Sequence, residues 1–555
     1  MDGLVYPDRT PHTGLLEYKN VHRPARIVSL AQGSSVQDIF AREKAVPQEK
    51  NLIQDKTLLQ GKTPFRNKTN LQEKGGRRLR AEAGKGSGRS SHERDGSPTV
   101  CILTIKNEMN YVDLRDYLTM EYEVTCDDAS VATGVITSPQ IPSILPGRTG
   151  NVYLSLPALP ERGRIYLKVS YLLREADAFR EAGMLLGFDE IPLENRVGGA
   201  DRGSSEADAC GPLEADACGS LETDIRGSSE ADACGPLDKD ACSLNKEYKN
   251  RIVHTFAADS AAHARRMEPV RVEENDRQLI LYGEYFTYVY SKLTGTFEEM
   301  TFAMRRILDR PMEVNLWRAP TDNDMYIRKE WEKAMYDRAY SRAYETVYRQ
   351  TETGLEIRSR MSMLGVTVQR MMDIDAVWTV NACGDLSVHM EVDRSPEFPE
   401  LPRFGLRLFL PESMQNAVYY GLGPLESYID KHRASWHGLF AATVRDLHED
   451  YIRPQENGSH CDCDYVTLYD NSLSVTAFSP VPFSFNASVY TQEELTRKPH
   501  NYELVPCGST VLCLDARQDG IGSNSCGPRP KQEYRFDEEH FTYDMTIHPA
   551  YEAGE

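Results

Sequence analysis

No run of apolar residues in this 555-residue chain approaches the ~20 that a membrane helix needs, and no charged-then-apolar leader opens it. A cytoplasmic protein with no membrane partner is therefore expected. Basic residues are also short, 64 Lys and Arg against 84 Asp and Glu, and a net charge of −20 repels polyanions. Nucleic acid is not an expected partner. The 12 cysteines lack the spacing of a secreted disulfide framework, which points to reduced thiols. Tryptophan is scarce at four, and no G-x-S-x-G elbow, H-E-x-x-H helix or Walker loop occurs, so those hydrolase, metalloprotease and nucleotide chemistries have no foothold.

What is present alternates with period two. Arg164–Val169, Asp385–Val392, Phe404–Leu408, Leu473–Ala477 and Phe483–Val489 each place apolar side chains on one face, and clusters of Gly, Pro, Asn or Asp separate them. Half-buried strands of a β-sandwich are expected. A helix is expected around Trp331, Met335 and Ala339, whose spacing is i, i+4, i+8. At the start, Gly3–Tyr6 reads as a strand end, Pro7–Pro11 as a turn, and Leu15, Leu16 and Tyr18 as the apolar face of a helix.

Two stretches lack the pattern of a packed domain. Arg42–Arg94 is rich in Lys, Arg, Gln and Gly without periodicity, which reads as a disordered basic insertion. Read as a nucleic-acid arm it lacks interleaved aromatics beyond Phe65. The segment Arg202–Leu213 returns unchanged at Arg226–Leu237, and with so few large apolar residues the repeat reads as a low-complexity linker. Its Cys210, Cys218, Cys234 and Cys242 belong to the repeat and lack CxxC spacing.

The most distinctive segment is Asn315–Asp324, NLWRAPTDND. On an extended backbone Asp322 and Asp324 share a face at roughly 7 Å, near the separation that carboxylate pairs use in glycoside hydrolysis. The structural alternative, favoured by the polar surroundings, is a turn held by Asp and Asn side chains with Arg318 pairing one carboxylate. Tyr419–Asp430, YYGLGPLESYID, has glycines without the frame of a phosphate loop and reads as a sheet corner. In His460–Asp464, HCDCD, strand alternation leaves only Cys461 and Cys463 on one face, too few for a tetrahedral metal site.

Together, Gly3–Val5 with Asp8–His12, Trp317–Asp324, Tyr420–Tyr428, Pro454–Gly458, Phe485–Ser488 and Gly520–Pro528 resemble, in this order, the C-terminal portion of the large β-galactosidases of glycoside hydrolase family 2. In that family a jelly-roll and an immunoglobulin-like domain precede a (β/α)₈ barrel, followed by a second immunoglobulin-like domain and a large β-sandwich. The resemblance implies a mainly β fold: 1–20 a remnant of the barrel's C-terminal end, 21–196 an immunoglobulin-like β-sandwich with the basic insertion at 42–97, 197–247 the repeat linker, and 248–555 the large antiparallel sandwich of mutarotase type. It implies no catalytic residue and no cofactor in this chain, since the family's two glutamates and its magnesium and sodium sites belong to the barrel upstream. Substrate-binding residues carried over by position are Asp2, near the galactosyl hydroxyls, and Ser525 and Cys526 at the active-site mouth, where some relatives place a Trp. The implied role is to wall the active site and support a homo- or hetero-oligomer, acting on β-galactosides with a barrel partner. A stand-alone carbohydrate-binding module is the alternative, for which Trp317, Trp331, Trp378 and Trp436 would have to form an exposed platform rather than pack.

Overall fold

The computed structural model describes residues 4–6, 8–36, 39, 98–194, 267–368, 370–522 and 529–551. The basic insertion, the repeat linker, and the expected site residues Asp2, Ser525 and Cys526 lie outside the described residues.

Strands Ala25–Gly33, Thr99–Asn107 and Thr149–Leu156 form a three-stranded antiparallel sheet in that order. Ala129–Ile136, Leu118–Cys126, Ile165–Leu173 and Leu185–Leu193 form a four-stranded one. Their inward residues, among them Ile27, Leu103 and Val152 from the first and Met120, Leu167 and Val169 from the second, share one core. Two antiparallel sheets closed over such a core make an immunoglobulin-like sandwich.

A larger sandwich follows. Five strands between Arg271 and Arg306 form one antiparallel sheet. The other sheet has twelve strands, running from Arg310–Asn315 through Arg403–Pro411, Ser509–Gln518, Leu473–Ser488, His540–Tyr551, Leu386–Arg394, Met372–Asn381 and Gly354–Leu364 to an edge at Tyr340–Gln350. Ser459–Tyr469, Asn416–Gly423 and Trp436–Thr443 branch from the 16-residue strand Leu473–Ser488. Tyr290, Phe297, Trp378, Met390 and Leu514 belong to the shared core. The fold is mainly β, as the alternation predicts.

Local departures from the sequence reading have physical causes. Leu386–Arg394 buries every second residue, as expected. Ile165–Leu173 is instead buried on both faces. Ile165, Leu167, Val169 and Tyr171 point into their own core, while Tyr166 and Lys168 meet the large sandwich: Tyr166 stacks on His437 at 4.0 Å, and the Lys168 ammonium lies 4.6 Å from the Trp436 ring. The helix expected to reach Ala339 is Ile327–Lys333. Met335 then turns left-handed (φ 61°), and Tyr336 is buried with its hydroxyl donating to the Pro399 carbonyl at 2.8 Å. Near the N-terminus the helix Thr13–Val21 is present, but Thr13 and Asn20 are its buried residues while Tyr18 is exposed.

That helix is held by polar groups. Asn20 donates to the carbonyls of Arg433 (2.8 Å) and Phe188 (3.3 Å) and accepts from the Phe188 N–H (2.8 Å), and the Glu17 carboxylate accepts the N–H groups of Arg433 and Ala434, both at 2.7 Å. It therefore ties both sandwiches together. A second tie centres on buried His437, whose ring nitrogens meet Glu190 at 2.7 Å and Asp462 at 2.6 Å, while Arg164 bridges Asp462 (2.8 Å) and Asp464 (2.9 Å). Burial pushes the His437 pKa down, but the two carboxylates outweigh it and raise it from 6.5 to about 9.

Candidate functional site

The sequence motifs converge on one turn. Thr321 opens a 3₁₀ turn, Asp322–Met325, so the extended backbone that would set Asp322 and Asp324 side by side is not formed. The Asp324 carboxylate caps the turn, accepting the Thr321 N–H at 2.8 Å, and pairs with fully buried Arg318 at 2.9 Å. Asp322 pairs with Arg453 at 3.0 Å, and its N–H donates to the Gln455 side chain at 2.8 Å. Both carboxylates are thus committed to structure, the outcome expected when Asp follows Pro in a turn.

The same turn gathers the other motifs. Arg318 also donates to the carbonyls of Asp519 and, at 3.0 Å, Gly520, and Asn323 donates to the Ile521 carbonyl at 2.9 Å. The Ile521 N–H donates to Asp430 at 2.9 Å. A side chain on Gly520 or Gly522 would put Cβ 2.8 or 2.5 Å from an Asp430 carboxylate oxygen, so a larger residue at either position displaces the Asp430 side chain, and at Gly520 it also crowds the Tyr534 carbonyl at 3.1 Å. The Glu456 N–H donates to the Ala319 carbonyl at 2.9 Å. Beside the turn, a shallow cleft open to solvent is lined by Val5, Tyr6, His12, Asp322, Tyr451 and Arg453, among others.

Below the cleft lies buried Glu426, a residue that sequence reasoning did not single out. It accepts from Lys431 (2.5 Å), Tyr451 (2.5 Å), Thr13 (3.0 Å) and the Gly458 N–H (2.9 Å), and Lys431 also donates to Thr13 at 2.8 Å. Burial pushes its pKa up, but Lys431 and these hydrogen bonds outweigh it, and the net shift is downward. Neighbouring Glu449, which accepts from Tyr6 at 3.1 Å, is pushed up to about 7 by burial and then by the Glu426 charge. Asp519 rises to about 7 through burial, partly offset by Arg318. No spacing signal marks these groups, because their partners come from distant segments: Thr13 and Glu426 are 413 residues apart in sequence.

The expected site residues Asp2, Ser525 and Cys526 lie outside the described residues, but the described chain that follows Asp2 and the chain that precedes Ser525 are placed. Val5 and Asp322 line one cleft, and Ile521 is tied to Asn323. The glycine-bearing stretch at 420–423 is strand, with Gly421 leaving room for the Cys463 thiol. In HCDCD the expected alternation is broken by register shifts on both sides of Cys463 and by Asp462 at φ 54°, so Cys463 is buried while Cys461 is partly exposed. Among the described residues no three His, Cys, Asp or Glu side chains are arranged to hold a metal ion.

Residues 282–547 match the family described as β-galactosidase small chain, and residues 103–194 match β-galactosidase, domain 4. A β-galactosidase of Actinobacillus pleuropneumoniae is 31% identical over 556 aligned residues, covering 99% of this chain and 41% of the relative. One from Staphylococcus xylosus is 34% identical over 279, covering 50% of this chain and 28% of the relative. The chain thus spans less than half the length of these relatives. A putative aldose 1-epimerase from Escherichia coli K12 aligns over 51% of this chain and 100% of its own, with a TM-score of 0.29 and 10% identity.

Proposed function

This chain belongs to the β-galactosidase family, as its C-terminal portion, and from that premise we propose that it walls the active site and supports the assembly of an enzyme that removes terminal non-reducing β-D-galactose from lactose-type substrates. The carrying observation is the convergence of the N-terminal strand end, the Asp322 turn and the Gly520–Gly522 segment, which brings the chain flanking Asp2 and Cys526 to one place. Retaining hydrolysis needs two carboxyl groups about 5 Å apart, one acting as nucleophile and one as acid/base. Asp322 and Asp324 do not serve, since each is held in an ion pair. The catalytic pair and the magnesium and sodium of the parent family are assigned to a barrel supplied in addition to these 555 residues, and the 555 residues alone are inactive. A cytoplasmic location is part of the same reading.

The experiment is turnover of a nitrophenyl β-galactoside by this chain, by a family barrel truncated before the segment that residues 1–20 match, and by the two co-expressed. Activity from the mixture alone supports the reading, and activity from the chain alone contradicts it. The alternative, a free carbohydrate-binding module, draws little support from the tryptophans: Trp317, Trp331 and Trp378 are buried in the core, and Trp436 is covered by Lys168.

A further inference from the structure

We propose that the free edge of the twelve-stranded sheet, strand Tyr340–Gln350, pairs about a two-fold axis with the same strand of a second copy of this chain, in the register that sets Val347 opposite itself and Glu345 opposite the partner's Arg349. Among the described residues this strand pairs with Gly354–Leu364 on one side and ends the sheet on the other. An edge of this length is a template for another strand unless something blunts it. Its first part is blunted: the Ala343 N–H is taken by the Leu293 carbonyl at 2.7 Å, Ser341 donates to Thr294 at 2.8 Å, and the register shifts between Ala343 and Glu345. From Glu345 to Gln350 the contacts are through side chains alone, Gln350 donating to the Val270 carbonyl at 3.2 Å and Tyr348 bonding Glu274; among the described residues the outward main-chain groups of this part are not taken by another segment, and Val347 is 53% and Tyr348 40% exposed.

The hairpin fixes which groups face outward. The Thr351 N–H donates to the Gly354 carbonyl at 2.8 Å, so antiparallel alternation turns the main-chain groups of 349, 347 and 345 toward 356, 358 and 360, and those of 350, 348 and 346 toward the open edge. A two-fold pairing centred on Val347 lets Thr346 and the partner's Tyr348 exchange main-chain hydrogen bonds, and the symmetry repeats the exchange. On one face Val347 then meets its own copy, flanked by Glu345 against the partner's Arg349 and Arg349 against the partner's Glu345. Opposite charges directly across a pair are favourable, and like charges are not. Registers centred on Thr346 or Tyr348 satisfy the same edge groups but oppose Val347 to a charge. Arg349 bonds Glu356 at 2.7 Å yet is 65% exposed, leaving its remaining donors in reach of a partner. A closed two-fold contact of this kind uses one surface on both copies.

This names a contact for the assembly role proposed above, and its test reads mass rather than turnover, so either reading can fail alone. The test is sedimentation velocity of the purified 555-residue chain over a dilution series. The wild type is expected to dissociate from dimer to monomer on dilution. Glu345→Arg and Arg349→Glu should each weaken association at least tenfold, and the double variant should restore it. Tyr348→Pro, which removes an outward N–H and spares the ladder to Gly354–Leu364, should also abolish association, with an unchanged melting temperature showing that the fold is kept. A wild type that stays monomeric, single reversals without effect, or a double variant no better than the singles would overturn the proposal.

Discussion

Glu426 shows what one buried carboxylate demands. Its charge is held by Lys431, Tyr451, Thr13 and the Gly458 N–H, and removing the cation leaves it without a counter-charge. Lys431→Met should therefore cost about 3–5 kcal/mol in urea unfolding, the range for breaking a buried pair. Since the folded pKa of Glu426 is depressed, the stability it contributes is present above its ordinary 4.5 and lost as pH falls through the lowered value. His437 runs the opposite way. Its folded pKa is raised to about 9, so its contribution is full below 6.5 and fades as pH rises toward 9. His437→Ala should cost on the order of 3 kcal/mol at pH 6 and much less at pH 10, read from thermal melting of both proteins across that range. Neither residue is legible in the sequence, because no local pattern brings Thr13 to Glu426 or Glu190 to His437. Asp322 and Asp324 are legible as turn residues, since Pro320 and Arg318 precede them, though the tight 3₁₀ path is not.

At the scale of elements, the strands that alternate cleanly are the ones the sequence reveals. Leu386–Arg394 is readable because one face meets the core and the other is polar. The burial of Tyr166 and Lys168 is not readable, because what covers them is the other sandwich. The helix at Trp331 is recognisable by its apolar spacing, but its end is set by the reach of Tyr336 to Pro399, a contact across 63 residues. The Gly520–Gly522 segment depends on close approach to Asp430. Gly520→Ala should cost about 1–3 kcal/mol by overpacking and, in the reconstituted enzyme, raise KM more than it lowers kcat. Farther along the same loop, Cys526→Trp should strengthen disaccharide binding by about 1 kcal/mol, the worth of one aromatic contact, if the loop borders the sugar. Equal affinity for lactose and aryl galactosides before and after that change would place the loop away from substrate.

Across the whole molecule, ordered motifs separated by hundreds of residues meet around one turn, and this is why a resemblance built from short segments carried the fold. Residues 1–20 matter most to the functional account: the helix Thr13–Val21 is clamped by Asn20 and Glu17 to both sandwiches, while Leu4, Val5, Tyr18 and Val21 remain more than 40% exposed. In the assembly proposed above, a barrel docked on this surface would cover them. The most direct measurement is turnover of a nitrophenyl β-galactoside by the purified chain, by the truncated family barrel, and by both together over a range of concentrations. The account predicts no hydrolysis from either alone and concentration-dependent hydrolysis from the mixture. Hydrolysis by the chain alone that disappears in Asp322→Asn or Asp324→Asn would contradict it, because the catalytic pair would then lie in the sandwich.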